Sequence, residues 1–299
     1  MLKKVSVIIP AYNYAHVLPR VIKSVALQLA EDCELIVIDD GSTDDTPQVI
    51  RQLHDQFPGQ IRSEQKNNGG AASARNRGIE LASSNWFVFL DADDEMAEGA
   101  LKQICQYLEA NPDSRFVIGG HISVSDDGKF SQVIPDQLAA NPVERVRNYL
   151  LDKKLSLSNG ACVMHREIFK HGLYPEHFRN AEDIPVFAQA LAHTNCVILK
   201  EPLAIIHKHS TSLRHNVQYD MGVGMQLVDE VFETGRLGPE FKELKEEFIS
   251  QRALSLFRGY YVAKMYEEAK RMYRIAIVNR WTSVFKMSYT RKFIRIIFK

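Results

Sequence analysis

The chain has 299 residues, of which 45% are hydrophobic and 25% are charged, a composition typical of globular proteins that excludes long disordered stretches. The 37 basic side chains balance 37 acidic ones, which argues against a protein whose main role is to bind nucleic acid. The N-terminus lacks a secretory signal and no apolar run reaches the roughly 20 residues of a membrane span, so a cytoplasmic protein is expected.

Short apolar runs alternate with helical patterns along the first 120 residues. The predicted strands cover 5–9, 35–38, 61–65 and 86–90, and another begins at 116. The predicted helices cover 17–29, 71–82 and 96–110, and one more begins at Thr46, which is followed by a proline. This alternation predicts an α/β fold with a Rossmann-like, mostly parallel sheet flanked by helices, in which ligands bind beyond the carboxyl ends of the strands.

The pattern changes in the second half of the chain. A hairpin turn is predicted at 126–128, a helix at 142–151, and short strands at 197–199 and 203–206. From about Tyr219 the sequence is nearly continuously helical. We therefore expect an α/β domain over 1–215 and a helical C-terminal region over 216–299, with a boundary near Asn216. The four cysteines are scattered without metal-ligand spacing, which predicts buried free thiols.

Polar motifs follow three of the predicted strands at the point where each strand ends. They are IPAYN at 9–13, IDDGS at 38–42 and LDADD at 90–94. Acidic residues at neighbouring strand ends repel one another, a cost that a cation or hydrogen-bond donors would relieve. Asp91 and Asp93 could share one hard cation, whereas Asp40 is suited to accept hydrogen bonds from a base or ribose. Each acidic motif taken alone also fits a turn or a helix cap.

These motifs, together with others downstream, occur in the order seen in a known enzyme family. The matching segments are VSVIIPAYN at 5–13, VIDDGSTD at 37–44, NGG at 68–70, ARN at 74–76, FLDADD at 89–94, NGA at 159–161 and AED at 181–183. On these segments the chain resembles family 2 glycosyltransferases with the GT-A fold. The resemblance extends over residues 3–215, and residues 216–299 carry no comparable motif.

The resemblance implies a role for each matching residue. The implied nucleotide-binding residues are Pro10, Tyr12, Asn13, Asp40, Asn68, Gly70, Arg75, Asp91 and Ala92. Among them Tyr12 would stack on the base, Asp40 would accept a base N–H, and Asp91 would face the ribose or a metal. Asp93 would be the chief ligand of Mn²⁺ or Mg²⁺. The glycines form neither a GxGxxG motif nor a phosphate loop with lysine, which disfavours a dinucleotide or NTPase site.

Two further roles follow from the resemblance. Asp183 matches the general base of inverting members, and Glu182 is expected to point elsewhere because neighbours on a helix do not share a face. The alternative for this pair is a helix N-terminus at which acids are favoured by the dipole. His209, in a His-x-x-Ser pattern, would be a second ligand of the metal or diphosphate, although a lone histidine is more often a structural or surface residue.

The implied activity is that of an inverting hexosyl- or N-acetylhexosaminyltransferase. It would move a sugar from a nucleotide diphosphate, UDP by family majority, to a hydroxyl of a glycan or lipid-linked acceptor in cell-surface polysaccharide or lipopolysaccharide synthesis. A sugar nucleotidyltransferase is the first alternative, but residues 11–14 lack its Gly- and Arg-rich loop. A non-catalytic glycan-binding protein is the second, and the presence of both Asp93 and Asp183 argues against it.

The C-terminal segment 281–299 carries five basic residues and no acidic ones, interleaved with aromatic and aliphatic residues. A basic, aromatic-rich helix of this kind is typical of segments that lie in an anionic membrane interface. We therefore expect peripheral contact with the inner face of the membrane. The alternative is a helix that packs on the domain with a basic outer face. A nucleic-acid partner is disfavoured by the neutral chain.

Overall fold

A nine-stranded sheet forms the centre of the protein in the structure, a computed structural model that describes residues 4–208 and 221–297. The strands are β1 (Val5–Ala11), β2 (Cys33–Asp39), β3 (Ile61–Gln65), β4 (Trp86–Phe89), β5 (Glu95–Met96), β6 (Phe116–Ser125), β7 (Phe130–Val133), β8 (Cys162–His165) and β9 (Cys196–Lys208). Their order is β3-β2-β1-β4-β8-β6-β9-β5, with β7 paired to β6 as a hairpin. The predicted hairpin turn at 126–128 is confirmed.

The sheet has a parallel half and a mixed half. Strands β3, β2, β1 and β4 run parallel, as the strand-helix alternation of the sequence predicts. Strand β8 runs antiparallel to both β4 and β6, while β6 and β9 are parallel to each other. The carboxyl ends of β1, β2 and β4 therefore meet at one edge of the sheet.

Ten α-helices accompany these strands among the described residues. They are α1 (Leu18–Ala26), α2 (Thr46–Gln56), α3 (Ala71–Leu81), α4 (Ala100–Ala110), α5 (Pro142–Leu150), α6 (Asp183–His193), α7 (Gln226–Phe232), α8 (Lys242–Val262), α9 (Tyr266–Asn279) and α10 (Met287–Ile297). Helices α2 and α5 each have a proline in the first turn, where its missing N–H costs nothing. The predicted start of α2 at Thr46 is confirmed.

Several predicted element ends differ from the observed ones, and two of these differences involve β9. Helix α4 begins at Ala100 and not at 96, because Glu95 and Met96 pair with β9 instead. The two short strands predicted at 197–199 and 203–206 form the single strand β9, which continues across a register irregularity opposite Gly120. A Cβ at Gly120 would lie 2.8 Å from the Val133 carbonyl oxygen, so this crowded position suits glycine.

Apolar side chains cover both faces of the sheet, and β1 shows why. Ile8 packs on one face against α3 and α6, while Val7 and Ile9 pack on the other face against α1, α2 and α4. All seven residues of β1 are buried. Burying each such side chain stabilises the fold by about 1.5–3 kcal/mol, so β1 anchors the loop that follows it.

The C-terminal helices contribute to two cores. Val231 of α7 and Phe241 pack in the same cluster as Phe187 of α6, whereas most of α8 packs with α9 and α10 in a separate cluster. The predicted boundary at Asn216 lies outside the described residues, and the division into 1–215 and 216–299 stays a prediction. Within the described ranges, no helix is long and apolar enough to cross a membrane.

The cysteines are all free, as predicted, but the fold brings two of them together. The Sγ atoms of Cys33 in β2 and Cys105 in α4 lie 3.6 Å apart, beside Asp32. Their separation of 72 positions in the sequence conceals this proximity. The pair lies at the amino end of β2, away from the edge where the strand-end motifs converge.

Candidate active site

The loops that follow β1 and β2 are joined by side-chain hydrogen bonds. The Asn13 Oδ1 atom accepts from the Thr43 N–H at 2.7 Å, and the Asn13 N–H donates to Ser42 Oγ at 2.9 Å. Asn13 itself has a φ of 58°, a left-handed conformation that asparagine tolerates better than most residues. Pro10 is buried within β1, whereas the Tyr12 side chain is 44% exposed and faces solvent at the rim. The loops thus form a fixed frame with one exposed aromatic ring.

Asp40 forms the first of two acidic clusters at this edge. Its carboxylate accepts the N–H groups of Gly69 and Gly70 at 2.9 and 2.6 Å and pairs with Lys66 Nζ at 2.8 Å. The Asn68 side-chain amide donates to the Asp40 carbonyl oxygen at 3.0 Å. Asp40 is 2% exposed, so these donors compensate a charge that is shielded from water. Asp40, Asn68 and Gly70 are therefore brought together, and Lys66 joins them.

A cavity opens beside this first cluster. It has a volume of about 480 Å³ and is lined by Gly41, Ser42, Gln65, Lys66 and Asn67. Gly41 has a φ of 76°, and a Cβ there would lie 2.9 Å from the Asn68 nitrogen, which explains the glycine. The cavity lies where the fold class places ligands, next to the carboxyl ends of β2 and β3.

Arg75 forms the centre of the second cluster. Its Nη2 atom donates to Asp91 Oδ1 at 2.7 Å and its Nη1 atom donates to Glu182 Oε1 at 2.6 Å. The guanidinium also lies over the Tyr174 ring, 5.3 Å from the centroid. Arg75 is 4% exposed, so one buried cation links the end of β4 to the start of α6. The expectation that Glu182 points elsewhere is therefore wrong.

Asp183 lies next to this second cluster as the first residue of α6. Burial and the charges of Glu182 and Asp91 together raise its pKa to about 7, against the opposing effect of Arg75. Ala181 has a φ of 62°, a strained conformation for alanine that fixes the direction in which the chain enters the helix. A carboxylate with this pKa exchanges its proton near neutral pH, which suits a general base.

The loop after β4 contains three more acids with different surroundings. Asp94 is buried and accepts the His207 N–H at 2.9 Å, and Glu95 pairs with the His207 ring at 2.7 Å. Both therefore tie the loop to β9, and neither caps α4. Asp93 is half-buried, and its charge reaches Tyr14, a residue that the sequence did not single out. Burial, together with the charges of Asp93, Asp91 and Asp94, raises the pKa of Tyr14 to about 12.

The loop after β4 carries carboxylates, the ligand type that a hard divalent cation prefers. Burial raises the pKa of Asp91, and the nearby charges of Asp93 and Glu182 raise it further against the effect of Arg75. Carboxylates in this position repel one another, and a bound cation would relieve the repulsion. Ala92, between the two acids, is buried. The second expected metal ligand, His209, lies outside the described residues.

Arg179 is a further residue that the sequence did not indicate. Its Nη1 atom lies 2.5 Å from the position that a Cβ of Gly70 would occupy, so its guanidinium covers the glycine at the start of α3. Its side chain is exposed. Among residues 4–208 and 221–297 no carboxylate forms an ion pair with it, whereas the buried Arg75 has two. An exposed guanidinium at a helix N-terminus at this edge is suited to an anionic group.

The chain is similar in sequence to known glycosyltransferases. Residues 6–173 match the family described as glycosyl transferase family 2. The chain is 41% identical over 108 residues to an uncharacterised glycosyltransferase of a Nostoc species. The matched region covers 36% of this chain and 34% of that protein. It is 30% identical over 213 residues to the amylovoran biosynthesis glycosyltransferase AmsB of Erwinia amylovora, covering 68% of this chain and 69% of that protein.

Solved structures show a similar fold over nearly all of the chain. The structure of S. aureus TarS 1–349 in complex with UDP has a TM-score of 0.61 at 17% identity, covering 95% of this chain and 92% of that one. The mannosyltransferase PcManGT from Pyrobaculum calidifontis, in complex with GDP-Man and Mn²⁺, has a TM-score of 0.58 at 17% identity, covering 98% and 84%. At these identities the likeness extends to the fold, which is the predicted α/β sheet flanked by helices with a helical C-terminal region.

Proposed function

This chain belongs to glycosyltransferase family 2, and on that premise we propose that it transfers a sugar from UDP to a hydroxyl of a glycan or lipid-linked acceptor, with inversion at the anomeric carbon. The observation that carries the proposal is Asp183, a carboxylate with a pKa raised to about 7 beside the cluster formed by Arg75, Asp91 and Glu182. The amylovoran biosynthesis relative supports a role in polysaccharide synthesis, and we propose cell-surface polysaccharide or lipopolysaccharide synthesis as the process that this chain serves.

The donor nucleotide would lie across the ends of β1 and β2. Tyr12, the exposed ring at the rim, would stack on the base, and the cavity beside Asp40 would receive the base edge and ribose. The Asp40 carboxylate already accepts two backbone N–H groups, so a base N–H would join an existing set of donors. Arg179, above Gly70, would then face the diphosphate. The UDP and UDP-GlcNAc complexes of TarS support a uridine nucleotide as the donor. The GDP-Man complex of PcManGT makes a guanosine nucleotide the alternative donor to test.

A divalent cation, Mn²⁺ or Mg²⁺, would be held by Asp93 with Asp91 beside it. When bound, it would supply positive charge to the diphosphate that leaves with the nucleotide. The Mn²⁺ in the PcManGT complex supports this assignment.

Asp183 would perform the acid-base chemistry. Its carboxylate accepts the proton of the acceptor hydroxyl while that oxygen attacks the anomeric carbon. The bond between this carbon and the diphosphate oxygen breaks, and its electron pair leaves with the nucleotide. Because Arg75 holds the carboxyl groups of Asp91 and Glu182 in place, acidic groups would surround a transition state with positive character on the sugar ring.

A donor screen tests the proposal. Hydrolysis of UDP-sugars and GDP-sugars is measured without acceptor, with and without Mn²⁺ or Mg²⁺, and the anomeric configuration of the released sugar is followed by NMR. We expect metal-dependent hydrolysis of a UDP-sugar with inversion. Release with retained configuration would refute the role of Asp183. Turnover of a GDP-sugar but of no UDP-sugar would mean that the donor nucleotide is GDP and not UDP.

Asp93→Ala is the matching test of the metal site. We expect calorimetry with UDP and Mn²⁺ to lose the metal-dependent part of the affinity, while the unfolding temperature without ligand stays near that of the parent. Asp45→Ala, an exposed acid at the start of α2, is the control and should bind as the parent does. Unchanged metal-dependent affinity in Asp93→Ala would remove this residue from the site.

A further inference from the structure

The end of the chain carries the opposite charge from the rest. Residues 269–299 contain nine basic and no acidic side chains, whereas the preceding 268 residues contain 28 basic and 37 acidic ones. The neutral total therefore conceals an acidic body joined to a basic C-terminal segment. Such a separation of charge produces a field at one surface that attracts anions.

The same segment exposes an unusual share of the apolar side chains. Of the fourteen large hydrophobic residues that are exposed in the described part of the chain, seven lie between 278 and 297. They are Val278, Trp281, Val284, Phe285, Met287, Ile294 and Ile297. The rings of Trp281 and Phe285 lie 5.9 Å apart and are 68% and 67% exposed, so they form a continuous aromatic surface. Contiguous exposed apolar groups of this kind mark contact surfaces.

Helix α10 has two apolar faces, and only one of them is covered. On the inner face, the Phe293 ring stacks on Tyr273 with centroids 4.2 Å apart, and Ile296 is 1% exposed. This face fixes the helix on α8 and α9. On the outer face, Met287 and Ile294 are seven residues apart and so lie on one side of the helix, with the exposed Arg291 between them. Nothing within residues 4–208 and 221–297 covers this outer side.

Exposed basic side chains lie in the same segment as the exposed apolar groups. Lys286, Arg291 and Arg295 are exposed, and none of them forms an ion pair with a described acidic residue. Arg280 differs because it pairs with Glu247, and it belongs to the fold. The outer surface therefore combines unpaired positive charge with aromatic and aliphatic groups.

We propose that this outer surface docks the protein on an anionic lipid bilayer. We define it as Trp281, Phe285, Lys286, Met287, Arg291, Ile294, Arg295 and Ile297. The basic groups complement lipid phosphates, and the aromatic and aliphatic groups enter the boundary between headgroups and acyl chains. A second copy of the chain fits less well, because a two-fold contact would bring two strongly basic surfaces together. The helix lies in the interface and does not cross the bilayer.

This contact goes beyond the transfer reaction and does not require it. The biological purpose of the membrane contact rests on the proposed function, because docking would bring the candidate active site close to a lipid-linked acceptor. The two ideas are separable because vesicle binding is measured without any sugar donor.

Vesicle sedimentation with the full chain tests the proposal. We expect binding to vesicles rich in phosphatidylglycerol at low salt, much weaker binding to phosphatidylcholine vesicles, and a partial weakening of binding as salt screens the charges. Arg291→Ala with Arg295→Ala should weaken binding to the anionic vesicles about 25-fold, since each basic residue contributes about fivefold at such a surface. Trp281→Ser with Phe285→Ser should remove the binding that remains at high salt.

Matched variants elsewhere serve as controls. Arg51→Ala removes an exposed arginine from α2, and Phe130→Ser removes a ring that is 75% exposed in β7. Both should bind vesicles as the parent does. All of these variants change exposed side chains, so thermal unfolding should be unchanged within a few degrees.

Three outcomes would overturn the proposal. The parent fails to bind anionic vesicles, the control variants weaken binding as much as the surface variants do, or the surface variants abolish a dimer seen by sedimentation velocity while vesicles bind nothing. The third result would make the surface an interface between copies. Donor hydrolysis measured in parallel should be equal in the parent and the surface variants, and its absence from all of them would count against the proposed function alone.

Discussion

Two acidic clusters lie at the same edge of the sheet, and they differ in how their charge is compensated. The Asp40 carboxylate accepts hydrogen bonds from one lysine and two backbone N–H groups, so both of its oxygens have donors. Asp91 and Glu182 share one guanidinium, and Asp183 adds a third carboxylate with no cation of its own among the described residues. The first cluster therefore joins the loop after β2 to the loop after β3 and holds both in place. In the second cluster, burial and then the charges of Glu182 and Asp91 raise the pKa of Asp183, which suits the proton acceptor that we propose.

Asp183→Asn is the change with the largest expected effect. Asparagine has nearly the same shape but does not accept a proton at neutral pH, so transfer should fall by about 10²–10⁴-fold. The loss should appear in kcat, with donor KM and calorimetric UDP affinity close to those of the parent. Glu182→Gln is the comparison. If that variant loses transfer while Asp183→Asn retains it, Glu182 is the base and the assignment is wrong.

Arg75→Met should break the second cluster by leaving Asp91 and Glu182 without their cation. Removing one partner of a buried ion pair costs about 3–5 kcal/mol, which urea unfolding would measure. Arg77→Met is a matched control two residues away, because Arg77 is 36% exposed and pairs with Glu64 and Glu80 at the surface. Surface pairs contribute about 0–1 kcal/mol. Equal losses in the two variants would show that Arg75 does not hold the cluster together.

Asp40→Asn tests the first cluster and should have a smaller effect. An amide that faces the N–H groups of Gly69 and Gly70 leaves a donor unsatisfied, at a cost of about 1–3 kcal/mol in stability. Nucleotide affinity should fall because the loop loses its anchor, while the metal requirement stays as in the parent. Isothermal titration with UDP measures the affinity, and the exposed Asp45→Asn is the control. Affinity equal to that of the parent would contradict the proposed place of the base.

The pH dependence of kcat and of stability gives the smallest expected effect, and it is the one most specific to Asp183. With a pKa of about 7, Asp183 is protonated below neutrality, so kcat should fall about tenfold between about pH 8 and about pH 6. The raised pKa also means that the folded chain holds this proton after the unfolded chain has lost it. Stability should therefore decrease as pH rises from about 4 to about 7. Asp183→Asn should lack this decrease, and urea unfolding over that range would show it.

Most of the fold was predictable because strands and helices differ in their apolar period. Strand β3 was predicted with the observed bounds, and β1, β2 and β4 differ only at their ends. The two-residue strand β5 was not predictable, since Met96 pairs with Ala204, which lies far away in the sequence. A strand of two residues has no period to detect. The predicted boundary near Asn216 lies outside the described residues and stays a prediction.

The candidate site was predictable where the residues follow strands. The same rule that indicated Asp40 would have indicated Lys66, which directly follows β3 at that edge. Glu182 was misjudged for a physical reason. It precedes α6, after Ala181 with a positive φ, so the rule about faces of a helix does not apply to it. The roles of the predicted nucleotide and metal residues stay predictions.

The sequence of the C-terminal segment does not show which of its apolar side chains are buried. Its sequence favoured either membrane contact or packing, whereas Phe293 and Ile296 pack inward while Ile294 faces outward. Deleting 285–299 would therefore damage the core formed by α8, α9 and α10, and would not isolate the surface. Substitution of exposed side chains is the informative experiment.

The bonds of Arg75 have a consequence for recombination between relatives. The residues that it joins, Asp91 and Glu182, come from segments on either side of β6, β7, α5 and β8, and Glu182 lies 107 positions from Arg75. A chimera that takes residues 1–120 from one parent and the rest from another inherits the cation and its second partner separately. We expect such crossovers to fold well only between parents that both keep the arginine at position 75 and the acid at position 182, so the two segments are inherited as one unit.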